Sequence, residues 1–337
     1  MTQLENILIT GGAGYVGNVL VPKLLEKGYK ITVYDILFFG KDTLPINHPN
    51  LSIIKGDVRD IQLFKKIVIG MDAVLHLACI SNDPSFELDE SLSKTINYDC
   101  FEPLVLASKA AGVKRFIYCS SSSVYGVSDA PQVTEETPLV PLTLYNKYKG
   151  MCEPLLFKHM TDNFTCVTIR PATICGYSPR TRLDLSVNIL TNHAVNKGNI
   201  IVFGGSQKRP NLHIQDMCDL YELLLTVPSE KIQGQTFNVG YQNFTISEIA
   251  QMVRTVVENE FPDKKPIGVN TTASNDSRSY HISSEKIKRV LGFEAKRSIE
   301  DAIRDLCCAF KQGKLSNSFE NDWYYNVRQL QKIKHEA

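Results

Sequence analysis

Thr10-Gly-Gly-Ala-Gly-Tyr-Val-Gly17 is the stretch that decides the fold, because it joins an apolar, strand-like run over 6–10 to a helical pattern over 15–27. Gly11, Gly14 and Gly17 permit a tight turn, let a pyrophosphate approach the main chain, and let the helix lie near the strand. The free N–H groups and the positive dipole at the start of the helix favour an anion. The stretch, with Tyr15 and Val16, therefore predicts a dinucleotide-binding turn; the alternative is an ordinary tight turn.

The alternation of strand and helix continues through the first half of the chain. Apolar runs rich in β-branched residues predict strands over 6–10, 30–35, 51–57, 73–78, 114–120 and 165–171. Gly28 and Gly112 predict left-handed caps on the helices that they follow. The helical patterns between the strands cover 15–27, 60–68, 91–111 and 145–160. We therefore expect an α/β fold with a doubly wound parallel sheet.

Beyond about residue 172 the alternation loosens, which predicts a smaller second α/β lobe. Thr245-Ile-Ser-Glu248 and Ser298-Ile-Glu-Asp301 can each cap the start of a helix in that lobe. We assign 1–172 to a dinucleotide-binding domain, which also receives segments from about 213–240, and 173–337 mainly to a substrate-binding lobe.

The composition argues against several classes of function. The 37 Lys and Arg residues balance 36 Asp and Glu residues, so no net field favours nucleic acid or an acidic membrane surface. Nine scattered cysteines without a Cys-x-x-Cys spacing favour a reducing cytoplasm and indicate no metal site. No secretory leader or membrane-spanning apolar stretch is evident in the sequence. We expect a cytoplasmic protein that does not enter a membrane.

Asp35 ends the second predicted strand, eighteen residues after Gly17. A carboxylate there can accept hydrogen bonds from the adenine-ribose hydroxyls and would repel a 2′-phosphate. Because Ile36 and Leu37 follow, and not a basic residue, the sequence favours NAD over NADP. The alternative is that Asp35 is only a turn residue.

Other strand ends add candidates for cofactor binding. Asp57 and Val58 follow the third strand, and the Asp57 carboxylate could accept a hydrogen bond from the adenine amino group; its alternative role is a helix N-cap. Leu77 and Ala78 end the fourth strand and would bring small backbone close to the cofactor.

Hydroxyl groups gather where the fifth strand ends, in Ser120-Ser-Ser-Ser-Val-Tyr-Gly126. Farther on, Tyr145 and Lys149 are four residues apart, so they share one face of a helix. There the ammonium can lower the phenol pKa, and the tyrosinate can take a proton from a sugar hydroxyl as a hydride leaves the same carbon. A nearby serine hydroxyl would steady the substrate oxygen. The alternative for the pair alone is a solvated surface helix.

In this order the motifs resemble the extended short-chain dehydrogenase/reductase superfamily, specifically its NAD-dependent nucleotide-sugar epimerase and dehydratase branch. The resemblance covers nearly the whole chain and implies a Rossmann-type sheet. It implies that Ser121 is the catalytic serine, that Tyr145 is the base, and that Lys149 also binds the nicotinamide ribose. Asn97 matches a helix asparagine of the family that lies at the cofactor site and is mainly structural.

One departure from the family pattern bears on the reaction. In its 4,6-dehydratases the catalytic threonine is followed by an Asp-Glu pair that eliminates water, and this chain has Ser122 and Ser123 there. Since serine is a poor substitute for an acid-base group, we expect no dehydration. The two serines become candidate substrate contacts.

The second lobe supplies candidate contacts to a nucleoside diphosphate sugar, because arginines suit polyphosphates. Arg180 and Arg182 come from one loop, and the resemblance implies that Arg209 and Arg278 bind the diphosphate. Thr173 stands where simple 4-epimerases usually carry an asparagine. Ser81, before an Asn-Asp-Pro turn, is a candidate for sugar hydroxyls.

These observations favour a nucleotide-sugar 4-epimerase that oxidises C4 transiently with bound NAD. A net 4-dehydrogenase or ketoreductase, for example on a heptose nucleotide of a surface-polysaccharide pathway, would use the same residues. A regulator that senses NAD without turnover is the alternative of another class, because a fold alone does not fix function. The family resemblance also implies a homodimer through the helices at about 91–111 and 145–160.

Overall fold

A computed structural model describes residues 4–128, 130–273, 279 and 281–336. In chain order the strands are β1 (Asn6–Thr10), β2 (Lys30–Asp35), β3 (Leu51–Lys55), β4 (Ala73–His76), β5 (Arg115–Cys119), β6 (Thr165–Pro171), β7 (Thr173–Cys175), β8 (Asn199–Phe203), β9 (Lys208–His213), β10 (Gln235–Val239), β11 (Gln242–Thr245) and β12 (Gly268–Thr272).

Helices connect these strands. In chain order they are α1 (Gly17–Glu26), α2 (Ile61–Ile67), α3 (Asp83–Glu87), α4 (Glu90–Lys94), α5 (Phe101–Ala110), α6 (Leu144–Lys158), α7 (Ser186–Lys197), α8 (Ile214–Thr226), α9 (Ser229–Ile232), α10 (Ile246–Glu260), α11 (Glu285–Leu291), α12 (Ile299–Lys311) and α13 (Asn326–Glu336). None of the helices in the described part of the chain combines the length and the apolarity needed to cross a membrane.

The central sheet is parallel throughout and has the order β10-β6-β5-β4-β1-β2-β3. Its inner strands are buried along almost their whole length because helices cover both faces. The chain order reverses between β1 and β4, and the carboxyl ends of these strands therefore border the crevice where such sheets bind ligands.

The second lobe packs α7, α10 and α12 around an apolar core that includes Val187, Ile249 and Ile303. Two small sheets, β11-β9-β7 and β12-β8, lie with these helices. The chain returns to the central sheet at β10, which pairs with β6. On the way, α8 packs on α1, where Lys27 pairs with Glu222 at 2.9 Å. The division into domains at residue 172 stays a prediction.

The predicted α/β fold class is confirmed, and several local signals are accurate. All six predicted strands exist, with ends that differ by up to two residues. Gly28 and Gly112 have φ angles of 88° and 81°, as left-handed caps require. Both predicted capping boxes form, with Thr245 and Ser298 as the caps.

The single helix predicted over 91–111 is wrong. The chain forms α4, then a π-helical turn over Thr95–Asp99, and then α5. Within that turn Asn97 turns inward: its side-chain oxygen accepts from Ile80 N at 2.8 Å and its amide donates to Ile80 O at 2.9 Å. A tertiary contact with the loop after β4 accompanies the irregular turn, and such turns are frequent at functional sites.

Candidate functional site

The glycine-rich turn between β1 and α1 leaves no room for side chains. Gly11 has a φ of 74°, and a Cβ atom on it would lie 2.6 Å from Ala78 N. A Cβ on Gly17 would lie 2.1 Å from Gly12 O. No side chain of the described residues caps α1 at Val16. The amino end of α1 therefore combines bare backbone with free N–H groups, which suits a phosphate.

Asp35 joins this turn to the end of β2. Its carboxylate accepts hydrogen bonds from Ala13 N at 3.0 Å and from Leu37 N at 2.7 Å. Asp35 also lines a cavity that borders the glycine-rich turn, which we call the main cavity. Burial raises the pKa of Asp35, and the two main-chain hydrogen bonds act against that increase. The remaining lone pairs of the carboxylate can accept hydrogen bonds from ligand hydroxyls.

Asp57 follows β3 and lines the same cavity, but it does not cap the next helix. Asp60 does so, because its side chain accepts from Leu63 N at 2.9 Å. The Asp57 carboxylate instead accepts from Arg59 Nε at 3.0 Å. The N-cap interpretation of Asp57 is therefore wrong.

The serine-rich loop and α6 place the predicted reactive groups together. Ser121 follows β5 in extended backbone, and its hydroxyl lies 2.7 Å from that of Ser123. Tyr145 lies in the first turn of α6, with the ring of Phe86 against its ring. Lys149, one turn later, donates from Nζ to Cys119 O at 2.7 Å. Hydroxyl, phenol and ammonium groups thus border one cavity.

The electrostatics of Tyr145 differ from the sequence-based expectation. Burial raises its pKa well above the usual value, and Cys79, Cys119 and Asp83 add to the increase. The cation that most strongly lowers the pKa is Arg182, and not Lys149. Proton removal by Tyr145 consequently depends on positive charge supplied around it.

The main cavity has a volume of about 360 Å³. It brings together most of the residues that the sequence singled out, from both halves of the chain. Its walls include Gly11, Gly14, Tyr15, Val16, Gly17, Asp35, Asp57, Val58, Leu77, Ala78, Ser81, Ser121, Ser123, Tyr145, Lys149, Thr173, Arg180 and Arg182.

Three of the predicted site residues that the structure describes lie outside the main cavity. Asn97 contacts the Ile80 backbone and holds the loop after β4 without lining the cavity. Ser122 is 1% exposed, because the 3₁₀ turn over Ser122–Tyr125 directs it away from the cavity that Ser121 and Ser123 line. Arg209 lines a neighbouring cavity. Arg278 lies outside the described residues.

The neighbouring cavity, of about 240 Å³, adjoins the main one. The two share Asn82, Asp83, Ser123, Thr173 and Leu185. Arg209 and Ser186 line it beyond that junction, and the Ser186 hydroxyl has no hydrogen-bond partner among the described residues. Polar groups from both lobes therefore surround the space that Tyr145 borders.

Several residues of the main cavity are not indicated by any motif in the sequence. Phe38 and Phe39 follow β2, and Asn326 and Leu330 belong to α13. Asn326 donates to Ser81 Oγ at 2.8 Å across 245 residues of chain. No local sequence pattern indicates such long-range contacts. Two adjacent aromatic residues, as at Phe38 and Phe39, are nevertheless unusual for an exposed loop.

Similarity to known proteins agrees with this geometry. A sequence model described as the NAD dependent epimerase/dehydratase family matches residues 7–240. A UDP-glucose 4-epimerase of Lactobacillus helveticus is 27% identical over 327 residues, which span 88% of this chain and 94% of that protein.

Two solved structures share the fold across almost the whole chain. UDP-glucose 4-epimerase from Thermotoga maritima with UDP-glucose gives a TM-score of 0.80 at 23% identity, covering 91% of this chain and 99% of that one. A dTDP-glucose 4,6-dehydratase from Streptomyces venezuelae with NAD bound gives a TM-score of 0.81 at 23% identity, covering 93% and 99%. The two proteins have different activities, so this likeness establishes the fold and leaves the reaction to the site.

Proposed function

The chain belongs to the NAD-dependent epimerase/dehydratase family, and from that premise we propose that it is a nucleotide-sugar 4-epimerase, which oxidises the sugar at C4 and reduces it again on the opposite face. The observation that carries the proposal is that Ser121, Tyr145 and Lys149 line one cavity with the glycine-rich turn and Asp35. An acid-base group, a hydroxyl and a dinucleotide site therefore meet at one place.

The cavity fits NAD, the cofactor of this family. The bare turn at Gly11 and Gly17 accepts a diphosphate, and the carboxylate of Asp35 accepts ribose hydroxyls. Bound NAD supplies a reversible acceptor of hydride. Ile36 and Leu37 after Asp35 offer no positive charge for a 2′-phosphate, which favours NAD over NADP.

The chain's own residues handle the proton and the sugar oxygen. In our proposal Tyr145 takes the proton of the C4 hydroxyl and later returns it. Ser121 hydrogen-bonds the same oxygen as its charge develops. Lys149, fixed by its hydrogen bond to Cys119 O, binds the nicotinamide ribose.

Dehydration finds no support at the serine-rich loop. Ser122 lies away from the cavity, and the Ser123 hydroxyl donates to Asn146 Oδ1. Neither group can exchange protons readily near neutral pH, because hydroxyls are poor acids and bases. We therefore propose that the chemistry ends with reversible oxidation.

The substrate would occupy the junction of the two cavities. Arg209 offers charge for the diphosphate, and Ser81, Asp83 and Thr173 offer hydrogen-bonding groups for the sugar. Small-molecule sites commonly lie between two domains, with polar groups contributed by both.

The first test incubates the purified protein with UDP-, GDP-, CDP- and dTDP-sugars, with and without added NAD. Sugar products are identified by NMR, and NADH is followed by absorbance. We expect a C4 epimer without net NADH. A released keto sugar with equivalent NADH would replace the proposal by a net dehydrogenase, and a 6-deoxy-4-keto product would replace it by a dehydratase.

Two tyrosines of α6 provide a matched control for this test. Tyr145→Phe should lower kcat about 100-fold or more, because it removes the acid-base group. Tyr148→Phe should change kcat less than about threefold, because Tyr148 packs on Phe86 and Tyr98 outside the main cavity. Equal losses in both variants would remove Tyr145 from its assigned role.

A further inference from the structure

Arg180 is a buried cation whose partners do not use all of its N–H groups. Its side chain is 1% exposed, yet it lines the main cavity. One Nη donates to Asn326 Oδ1 at 2.6 Å, and the guanidinium lies 3.5 Å from the ring centre of Phe39. Its Nε has no partner among the described residues. A buried guanidinium with an unused N–H costs free energy that a ligand anion can recover.

The charge balance around Arg180 supports the same conclusion. Burial lowers its pKa to about 9, and the neighbouring Arg182 also lowers it. Asp184 and Asp35 act in the opposite direction, but their effect is smaller than that of burial. The site thus favours additional negative charge.

Three arginines lie in different parts of the adjoining cavities. Arg180 borders the cofactor side, since its guanidinium stacks on Phe39 in the loop that follows β2 and Asp35. Arg182 is nearer the reactive groups, since its charge acts on Tyr145. Arg209 lines the neighbouring cavity. This placement favours contact of Arg180 with the diphosphate of the dinucleotide over contact with that of the sugar nucleotide.

The C-terminal segment, residues 322–333, contacts the loop after β2 beside Arg180. Trp323 Nε1 donates to Phe39 O at 2.9 Å, and Gln329 Nε2 donates to Phe38 O at 3.1 Å. The Trp323 ring also lies near the Arg180 guanidinium, 5.9 Å from its centre. The segment thereby fixes the aromatic wall on which Arg180 stacks.

Asn326 connects this segment to both lobes. Its side-chain oxygen accepts from Arg180, and its side-chain amide donates to Ser81 Oγ at 2.8 Å. Its main-chain N–H donates to Asp184 Oδ2 at 3.0 Å. Asn326 and Leu330 also line the cavity. The C-terminal segment thus forms a wall of the cofactor site. The family match ends at residue 240, and Asn326 lies 86 residues beyond that point.

We propose that Arg180 binds the diphosphate of NAD, and that the C-terminal segment, by holding Arg180 and Phe39 in place, limits the dissociation of NAD. The proposal rests on NAD binding and not on which sugar reaction the protein performs. It assigns Arg180 to the cofactor, in contrast to the substrate role that the sequence predicted.

The test measures cofactor binding without any sugar nucleotide. NADH fluorescence gives the dissociation constant, and displacement by excess NAD gives the dissociation rate, for the wild type, Arg180→Gln, Arg180→Lys and Trp323→Phe. We expect Arg180→Gln to raise the dissociation constant of NADH about 10- to 100-fold, because it removes a charge-assisted hydrogen bond. The dissociation constant of Arg180→Lys should lie between those of the wild type and Arg180→Gln. Trp323→Phe should speed the dissociation of NADH, because it loses the hydrogen bond to Phe39 O.

A control and a second ligand separate the alternatives. Arg254→Gln changes the same charge on an exposed position of α10, outside the main cavity, and should leave NADH binding within about twofold. Titration with UDP, GDP, CDP and dTDP reports the substrate site, and Arg180→Gln should leave that binding unchanged. Circular dichroism checks that each variant is folded.

Three results would overturn the proposal. One is normal NADH binding with weaker nucleoside diphosphate binding in Arg180→Gln, which would return Arg180 to the substrate. Another is normal binding of both ligands with lower thermal stability, which would make Arg180 structural. If Arg180→Gln does not fold, an unchanged dissociation rate in Trp323→Phe would reject the role of the C-terminal segment.

Discussion

Tyr145 is where burial and charge act on the proposed chemistry in opposite directions. Burial raises its pKa, and Arg182 is the neighbouring cation that lowers it most. Arg182 itself is held by Asp184, whose Oδ1 accepts from Arg182 Nε at 2.9 Å, and by Ser81 at 3.3 Å. Its Nη2 has no partner among the residues described. The cation is thus fixed beside the space that the sugar would occupy.

We predict that Arg182→Gln shifts the pH dependence of the reaction. Removing the cation raises the pKa of Tyr145 further, so the tyrosinate forms only at higher pH. In the profile of kcat/KM against pH, the pKa of the limb on which activity rises with pH should increase by about one unit. Activity at neutral pH should fall roughly tenfold and recover as the pH is raised.

Arg182→Lys is the matched control, since it keeps the charge while it changes the hydrogen bonds. Its profile should move less than that of Arg182→Gln. Profiles are recorded at saturating NAD, so that cofactor binding does not contribute. A uniform loss of activity at every pH, without a shift, would show that Arg182 acts only through substrate binding.

At the scale of elements, a buried ionic network aligns α6 with the serine-rich loop. Glu153, one turn after Lys149 on α6, accepts from Arg170 Nη2 at 2.6 Å and from Ser120 Oγ at 2.6 Å. Arg170 also donates to Tyr125 OH at 2.6 Å. The network joins α6, β6 and the serine-rich loop, whose Ser120 lines the main cavity, and it can therefore set the position of Tyr145 relative to Ser121.

We predict that Glu153→Gln destabilises the protein strongly, because it leaves the Arg170 guanidinium buried without its counter-charge. The free energy of unfolding should fall by about 3 kcal/mol. Urea denaturation followed by circular dichroism measures the change. Glu260→Gln removes a partner of the exposed Lys311, 2.6 Å away, and should cost less than about 1 kcal/mol. Similar losses in the two variants would contradict a structural role for the network.

Elements with strong local signals could be predicted from the sequence, whereas irregular ones could not. The buried strands of a parallel sheet carry mostly apolar or β-branched residues, and caps such as Thr245 with Glu248 use residues three apart. The π-helical turn at Thr95–Asp99 interrupts the helical pattern over 91–111, in which Pro103 lies only four residues after the turn. Its contacts come from Ile80, which no local pattern indicates.

The same difference between local sequence signals and long-range packing separates the two sides of the candidate site. The glycine-rich turn, Asp35, and Tyr145 with Lys149 are identified by short spacings, and the structure brings them to one cavity. Arg180 was assigned by its residue type alone. Its neighbour Asn326 is 146 residues away along the chain, so the wall they form together depends on tertiary packing.

At the scale of the whole molecule, four exposed apolar side chains lie on or beside the helices through which the family resemblance implies a dimer. Leu106 on α5 is 46% exposed, and Met151 on α6 is 36% exposed. Leu92 on α4 and Met160 after α6 are also exposed. Glu102 links α5 to the end of α6 through His159 at 2.7 Å, so the two helices present one surface. We propose that this surface is the interface of a homodimer.

This proposal predicts that Leu106→Glu combined with Met151→Glu converts a dimer into a monomer. Burying two carboxylates at an apolar interface costs several kcal/mol, and the two-fold axis of a dimer doubles the number of charges. Sedimentation velocity measures the mass, and retained NADH binding shows that each subunit is folded. Phe203→Glu is the control, because Phe203 is 60% exposed on β8 in the second lobe, and that variant should stay dimeric. A monomeric wild type would show that the proposed dimer does not form. Equal dissociation of the dimer in Phe203→Glu would place the interface elsewhere. Since the cavity is formed within one chain, the monomeric variant should still bind NADH, which separates assembly from the cofactor site.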